Sequence, residues 1–161
     1  MKKNKQNQPI SALDIAVYIL ANHTSNNSIA AWKMHKLVYY CQVWSLIREN
    51  QPFFYEKVMA SSHGLMIHEL RSQHQGSLYV GGSTIGNLNH LSLKQVDIVD
   101  FVIKVYGNKT SEELDELIHL DSPWKEARMK ARSKENVEIT PNAILTYYTT
   151  HSPLEGDGQK F

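Results

Sequence analysis

Residues 31–48 read AWKMHKLVYYCQVWSLIR, and this stretch decides the fold. Its apolar residues return every three or four positions, which is the spacing of one face of an α-helix. They are Met34, Leu37, Val38, Cys41, Trp44 and Ile47, and Tyr39, Tyr40 and Val43 widen the face they form. A helix with so broad an apolar surface is expected at the centre of a domain.

Further helices are predicted on both sides of this stretch from the residues that would begin them. Three serine or threonine residues stand three positions before a side chain that completes a capping box, and two more stand directly before a proline. The capping boxes are Ser11 with Asp14, Ser92 with Gln95 and Thr110 with Glu113, and the proline pairs are Ser122–Pro123 and Thr140–Pro141. In each proline pair the first residue is expected to be the N-cap.

The region between the central helix and Ser92 is β-prone. Residues 53–60 are rich in aromatic and branched side chains, and a short helix is expected at 66–74. Residues 78–85 place two short β-prone runs around a Gly-Gly pair, which is typical of a hairpin. The predicted fold is therefore mainly α, a single-domain bundle of about six helices with a small β-hairpin or sheet element around residues 53–85.

Composition sets the limits of this domain. A chain of 161 residues, 42% of them hydrophobic, can bury one core, and a net charge of +1 gives no overall attraction to nucleic acid or acidic membranes. Polar residues 1–9 and residues 151–161 are predicted to be flexible tails, which leaves 10–150 as the domain. We find neither a signal-peptide core nor the roughly 20 apolar residues of a membrane span, so a cytoplasmic protein is expected.

Histidines are the first candidates for chemistry, since the chain has eight. The pair His68–Glu69 resembles the start of a zinc-protease helix, but the position four residues after the histidine is Ser72. His63, His68 and His74 would therefore meet at a metal only through the tertiary fold. A hydrolase built from these histidines and nearby acids is kept as an alternative, while no metal or cofactor is predicted.

Other catalytic patterns are missing from the sequence. Cys41 lies inside the apolar face of the central helix, where a free thiol is more often a small core residue than a nucleophile. There is no phosphate-binding glycine loop and no G-x-S-x-G elbow. The sequence therefore favours a protein without catalysis.

A basic segment at residues 125–134 provides a second alternative, a nucleic-acid binder. Its cations are Lys125, Arg128, Lys130, Arg132 and Lys134. Acidic residues interrupt the run, so a solvated surface is favoured over a phosphate-binding one. A nearby acidic helix at 112–116 also offers it an intramolecular partner.

Four motifs resemble the Panacea domain family, which includes SocA-like antitoxins and phage-associated GepA proteins. Residues 34–44, MHKLVYYCQVW, are similar to the family's opening signature K-L-x-K-L-L-Y-Y-A-Q-G-W. Residues 105–107, VYG, precede a second match at 111–119. Residues 121–128, DSPWKEAR, are close to E-x-P-W-x-x-A-R, and 139–141, ITP, resemble the start of the closing helix. The order and spacing of the family are kept over about residues 11–149.

The resemblance implies site positions and partners. The motif positions, expected in the core or at a partner surface, are Lys36, Leu37, Tyr39, Gln42, Trp44, Gly64, Glu69, Asp121, Pro123, Trp124 and Arg128. It implies a bacterial or phage-encoded antitoxin that binds a cognate toxin directly. If the protein is an adaptor, the resemblance also implies a protease as a second partner. No catalytic or metal-binding residue comes with it.

One segment departs from the family pattern. Where members read A-W-x-x-G-P-V-V-P-E-L, residues 60–70 read ASSHGLMIHEL, so that the tryptophan and both prolines are missing. Proline restricts its own backbone and that of the residue before it. We therefore expect a different turn here, and with it a different partner surface.

Overall fold

The structure is a computed structural model that describes residues 9–132 and 135–154. This part of the chain has seven α-helices, of which one long helix is surrounded by the other six, and two small sheets pack beside it. The elements are α1 (Ala12–His23), β1 (Ser28–Ala30), α2 (Ala31–Glu49), β2 (Val58–Ser61), β3 (Gly64–Ile67), α3 (His68–His74), β4 (Tyr79–Gly81), a 3-10 turn (Leu88–His90), α4 (Leu93–Tyr106), α5 (Ser111–Leu120), α6 (Ser122–Lys130), β5 (Val137–Ile139) and α7 (Pro141–Tyr148). The mainly α prediction is confirmed.

The predicted central helix is α2, and it is buried on all sides. Every residue from Met34 to Leu46 is buried, including polar ones, because α1, α4, α5, α7 and strand β3 pack around it. Tyr40 stacks on Tyr106 of α4 with ring centroids 4.0 Å apart, and the Trp44 indole donates a hydrogen bond of 3.1 Å to the Tyr106 hydroxyl. The helix is therefore packed against other elements all around, and not only along the predicted apolar face.

The capping boxes formed as the sequence indicated. The side chains of Ser11, Ser92 and Thr110 each accept a backbone N–H of the first turn, and the three partner side chains complete the boxes. Thr140 caps α7 in the same manner. These caps satisfy N–H groups that would otherwise lack partners.

The predicted N-cap at Ser122 is wrong by one residue. The N-cap of α6 is Asp121, so Ser122 and Pro123 occupy the first turn of the helix. Asp121 is held in extended geometry with its N–H bonded to the Ile118 carbonyl. Its carboxylate makes no capping bond because it accepts the hydroxyls of two tyrosines of α7 instead.

The hairpin predicted around Gly81–Gly82 is also wrong. Strand β4 pairs antiparallel with β1, and residues 83–85 form no strand. Val80 of β4 is buried in the core and lies opposite Ile29 of β1. The pairing partner of β4 is therefore a strand distant in sequence and not the neighbouring residues 83–85. A Cβ at Gly82 would meet the Asn27 amide nitrogen at 2.3 Å, so the Asn27 side chain would have to shift.

The hairpin that does form is β2–β3, and β5 pairs with the other edge of β2 to give the order β3-β2-β5. Gly64 begins β3 with a φ of 118°. The Ser61 hydroxyl donates to the Gly64 carbonyl at 2.6 Å and accepts the His63 N–H at 3.2 Å, which closes the turn. The segment that departs from the family pattern is therefore a tight turn leading into α3.

Gly64→Ala is expected to lower the free energy of unfolding by about 1–2 kcal/mol, because only glycine tolerates this backbone angle without strain. A Cβ at Gly64 would meet no atom within 4 Å, so the cost is one of backbone conformation. Urea denaturation would measure it. Gly81→Ala is the matched control, since its Cβ would meet its nearest neighbour at an ordinary 3.7 Å. Equal effects of the two substitutions would contradict the expectation.

The predicted tails fall mainly on residues 1–8 and 155–161, which lie outside the described residues. At the C-terminal side Leu154 is buried in the core, so packed residues continue beyond position 150. No helix in the described part of the chain has the length and hydropathy that a bilayer span requires.

Candidate partner-binding site

The positions singled out by the family motifs hold the scaffold together. Lys36 is a buried cation of α2 whose ammonium donates to the Ser111 hydroxyl at 2.6 Å and lies 3.1 Å from the Asp115 carboxylate. It therefore joins α2 to α5. This contact also corrects the expectation for the acidic helix, since Asp115 pairs with the central helix rather than with the basic segment.

Gln42 fixes the chain that follows α2. Its amide oxygen accepts the N–H groups of Phe53 and Phe54 at 2.7 and 3.3 Å, and its amide nitrogen donates to the Phe54 carbonyl at 3.0 Å. All three residues are buried. One side chain thus satisfies three buried backbone groups, which would be costly to leave unpaired.

The DSPWKEAR motif makes a second group of internal contacts. Asp121 accepts the hydroxyls of Tyr147 and Tyr148, and burial raises the pKa of its carboxyl while these bonds oppose the rise. Trp124 is 9% exposed and stacks on His119 with ring centroids 4.5 Å apart.

Arg128 belongs to the same group and ties α6 to the sheet. It donates to the carbonyls of Ala60 and Glu135 at 3.2 and 3.0 Å, so this cation of the basic segment is used internally.

The other motif positions are also internal. Leu37, Tyr39 and Pro123 are buried, Gly64 shapes the hairpin turn, and Glu69 has one carboxylate oxygen that is buried without a hydrogen-bond partner among the described residues. The motif positions therefore specify the framework, and candidate function has to be sought on the surface that this framework presents.

That surface has a distinctive aromatic and imidazole cluster, formed by Trp32, His35 and His74. The Trp32 and His35 rings stack with centroids 4.9 Å apart, and His74 meets both rings edge-on at 5.6 and 5.2 Å. Trp32 is half-buried, while His35 is fully buried and His74 is 6% exposed. The cluster joins the start of α2 to the end of α3.

Hydrogen bonds fix the proton positions in the two imidazoles. His35 Nδ1 accepts the Ile67 N–H at 2.9 Å, so the proton of a neutral His35 is on Nε2. His35 Nε2 is 2.9 Å from His74 Nε2, which must then be the acceptor. The proton of His74 is therefore on Nδ1, and this buried atom has no hydrogen-bond partner within the described ranges.

Both imidazoles are held neutral. Burial lowers the pKa of His35 to about 3, with further lowering by His74, Lys36 and Arg71. Burial also lowers the pKa of His74, which the backbone at Ser77 partly opposes. The two neutral rings form a polarised pair, and the His74 Nδ1–H is the one donor of the pair without a hydrogen bond of normal geometry in the described chain.

Two clefts adjoin this cluster, and a third lies beside them. Two of them, of about 600 and 450 Å³, share Trp32, His63 and Arg71, and the third, of about 290 Å³, also includes Arg71. The first is completed by Ser61, Ser62, Met66 and Asn136, the second by His74, Gly76, Ser77 and Leu78, and the third by His68, Ser72, Gln75 and Gly76. Among the described residues that line them there is no aspartate or glutamate.

This arrangement bears directly on the hydrolase alternative. His63 and His74 line one cleft and His68 lines its neighbour, so the three histidines lie in one region of the surface. However, no group of three or more histidine, cysteine or acidic residues in the described chain gathers at metal-binding distance. Cys41 is fully buried, and burial raises the pKa of its thiol.

Sequence reasoning missed His35 and the role of Trp32. The signal was present, because His35 interrupts the most apolar helix at a position where a polar side chain needs a buried partner. That partner, His74, is 39 residues away, and no local pattern connects the two.

Comparison with known proteins gives one family. The model of the antitoxin SocA-like, Panacea domain matches residues 34–125, which is more than half of the chain. No match was found among curated proteins or among solved structures.

Proposed function

Because the chain belongs to the SocA-like antitoxins with a Panacea domain, we propose that it is a protein-binding antitoxin that neutralises a cognate toxin by direct contact, without catalysis. The observation that carries this proposal is the family match over residues 34–125. We further propose that it acts in the cytoplasm and is bacterial or phage-encoded.

The distribution of side chains supports binding. The side chains at the motif positions make internal contacts, whereas large apolar side chains near the Trp32 cluster are exposed. Leu78 and Tyr79 are 78% and 60% exposed, and Ile85, tied to α3 by a bond from its N–H to the Gln73 side chain, is 72% exposed. Exposed apolar and aromatic groups beside a cation are typical of protein interfaces.

Co-expression with the product of the neighbouring gene tests the proposal. If that product arrests growth alone, the chain is expected to restore growth, and the two proteins are expected to co-purify. A matched control is the double variant Leu37→Asp with Val38→Asp, which destroys the core and should not rescue. A toxic product that neither associates with the chain nor is neutralised by it would contradict the antitoxin role.

The same experiment separates simple blocking from an adaptor role. A blocking antitoxin should leave the toxin at an undiminished level in a stable complex. An adaptor that delivers the toxin to a protease should lower the toxin's level, and removal of the host protease should restore it. Quantitative immunoblots of the toxin after arrest of synthesis would distinguish the two.

A further inference from the structure

Arg71 forms no ion pair with any carboxylate in the part of the chain that the structure describes. It lies on α3, is exposed, and lines all three clefts. Its described side-chain contact is a weak one of 3.5 Å from Nη1 to the Met66 sulfur, and no carboxylate of the described residues pairs with it. A guanidinium in this state can still bind a carboxylate through two parallel hydrogen bonds.

His74 supplies a second, independent observation. The residue is more than nine-tenths buried and lines the same cleft as Arg71, and its Nδ1 lies near the backbone of Ser77 without reaching hydrogen-bond geometry. A buried donor without an acceptor costs free energy, so an acceptor that arrives with a ligand would be favoured. Neutral His74 can only donate from this atom, which selects an acceptor and not a donor.

Apolar groups flank the cation on both sides. Met66 and Trp32 line one cleft beside Arg71, while Leu78 lines the other. A chain-terminal carboxylate has a neighbouring residue on one side only, whereas an internal acidic residue has neighbours on both. The flanks therefore fit an acidic side chain within a segment that has apolar residues before and after it.

We propose that the clefts around Arg71 bind an aspartate or glutamate side chain of the partner protein, held by the Arg71 guanidinium and the His74 Nδ1–H, with its apolar neighbours packed on Trp32 and Leu78. This rests on the proposed function in one respect, namely that the occupant is a protein. It adds the surface and the chemistry of the residue that is recognised.

The test uses three capped or uncapped peptides and the full chain at pH 7, where both imidazoles are neutral. The peptides are acetyl-Leu-Glu-Leu-amide, acetyl-Leu-Gln-Leu-amide and acetyl-Leu-Gln-Leu with a free terminal carboxylate. ¹⁵N NMR would follow the Arg71 side chain and the His74 ring during titration. The glutamate peptide is expected to shift both signals in a saturable way, with an affinity about tenfold above that of the glutamine peptide, as one charge-assisted pair implies.

Arg71→Gln should remove this difference between the peptides, whereas Lys94→Gln, an equal change of charge at a distant exposed site on α4, should preserve it. Equal shifts by the glutamate and glutamine peptides, shifts by the free-carboxylate peptide only, or no shifts at all would each overturn the proposal. Because no toxin is present in the titration, such a failure leaves the neutralisation experiment to decide the antitoxin role separately.

Discussion

Gln42→Ala is expected to lower the free energy of unfolding by about 3–5 kcal/mol, a large part of the stability of a domain of this size. The substitution removes the partner of three buried backbone groups, the N–H of Phe53 and both the N–H and the carbonyl of Phe54. Phe53 and Phe54 are 3% and 0% exposed, so water cannot easily replace the lost amide. The chain after α2 would then lose its anchor.

Urea denaturation followed by far-UV circular dichroism would measure the effect. Gln51→Ala is the control, since that side chain is exposed and lies in the same connection. It is expected to change stability by less than about 0.5 kcal/mol. A loss below 1 kcal/mol for Gln42→Ala would show that the clamp is not needed.

Acidification from pH 7 to pH 5 is expected to lower the free energy of unfolding by about 2 kcal/mol through His35. With a pKa of about 3 in the folded protein, His35 stays neutral throughout this range. In the unfolded chain the pKa of His35 is close to the ordinary 6.5. On acidification the unfolded state therefore binds a proton at His35, whereas the folded state does not. Stability therefore falls as the pH drops below about 6.5, and His74, whose pKa is also lowered, adds to the fall.

The groups that face His35 all oppose its protonation. They are His74 and Arg71 on α3 and Lys36 on its own helix. His35→Gln keeps an acceptor for the Ile67 N–H but cannot titrate, so its stability should depend less on pH by about the same 2 kcal/mol. His68→Gln, at an exposed position, should leave the dependence as it is in the parent protein. Identical pH dependence in all three proteins would contradict the expectation.

The helices could be predicted from the sequence because their signals are local. Capping boxes and the apolar face of α2 depend on residues within four positions of one another, and these elements formed where the patterns indicated. At the start of α6 the sequence pattern was off by one residue, and the Asp121 side chain there bonds tyrosines of α7, which are more than 20 residues away.

The sheets and the candidate site could not be predicted in the same way. β1 pairs with β4 across some 50 residues, so the local Gly-Gly turn signal was misleading. The site likewise needs α2, β3 and α3 in contact before His35, Ile67 and His74 can form their chain of hydrogen bonds. The family resemblance located the framework residues, but it carried no information on this cluster.

Cys41 has a practical consequence for studying the protein. It is the single thiol of the chain, it is fully buried in the middle of α2, and burial raises its pKa. A thiol in this state reacts with a labelling reagent only when the core opens. The labelling rate of Cys41 would therefore measure how often the core of the domain opens, and no engineered cysteine would be needed. If a partner binds and stabilises the folded state, labelling of Cys41 would become slower.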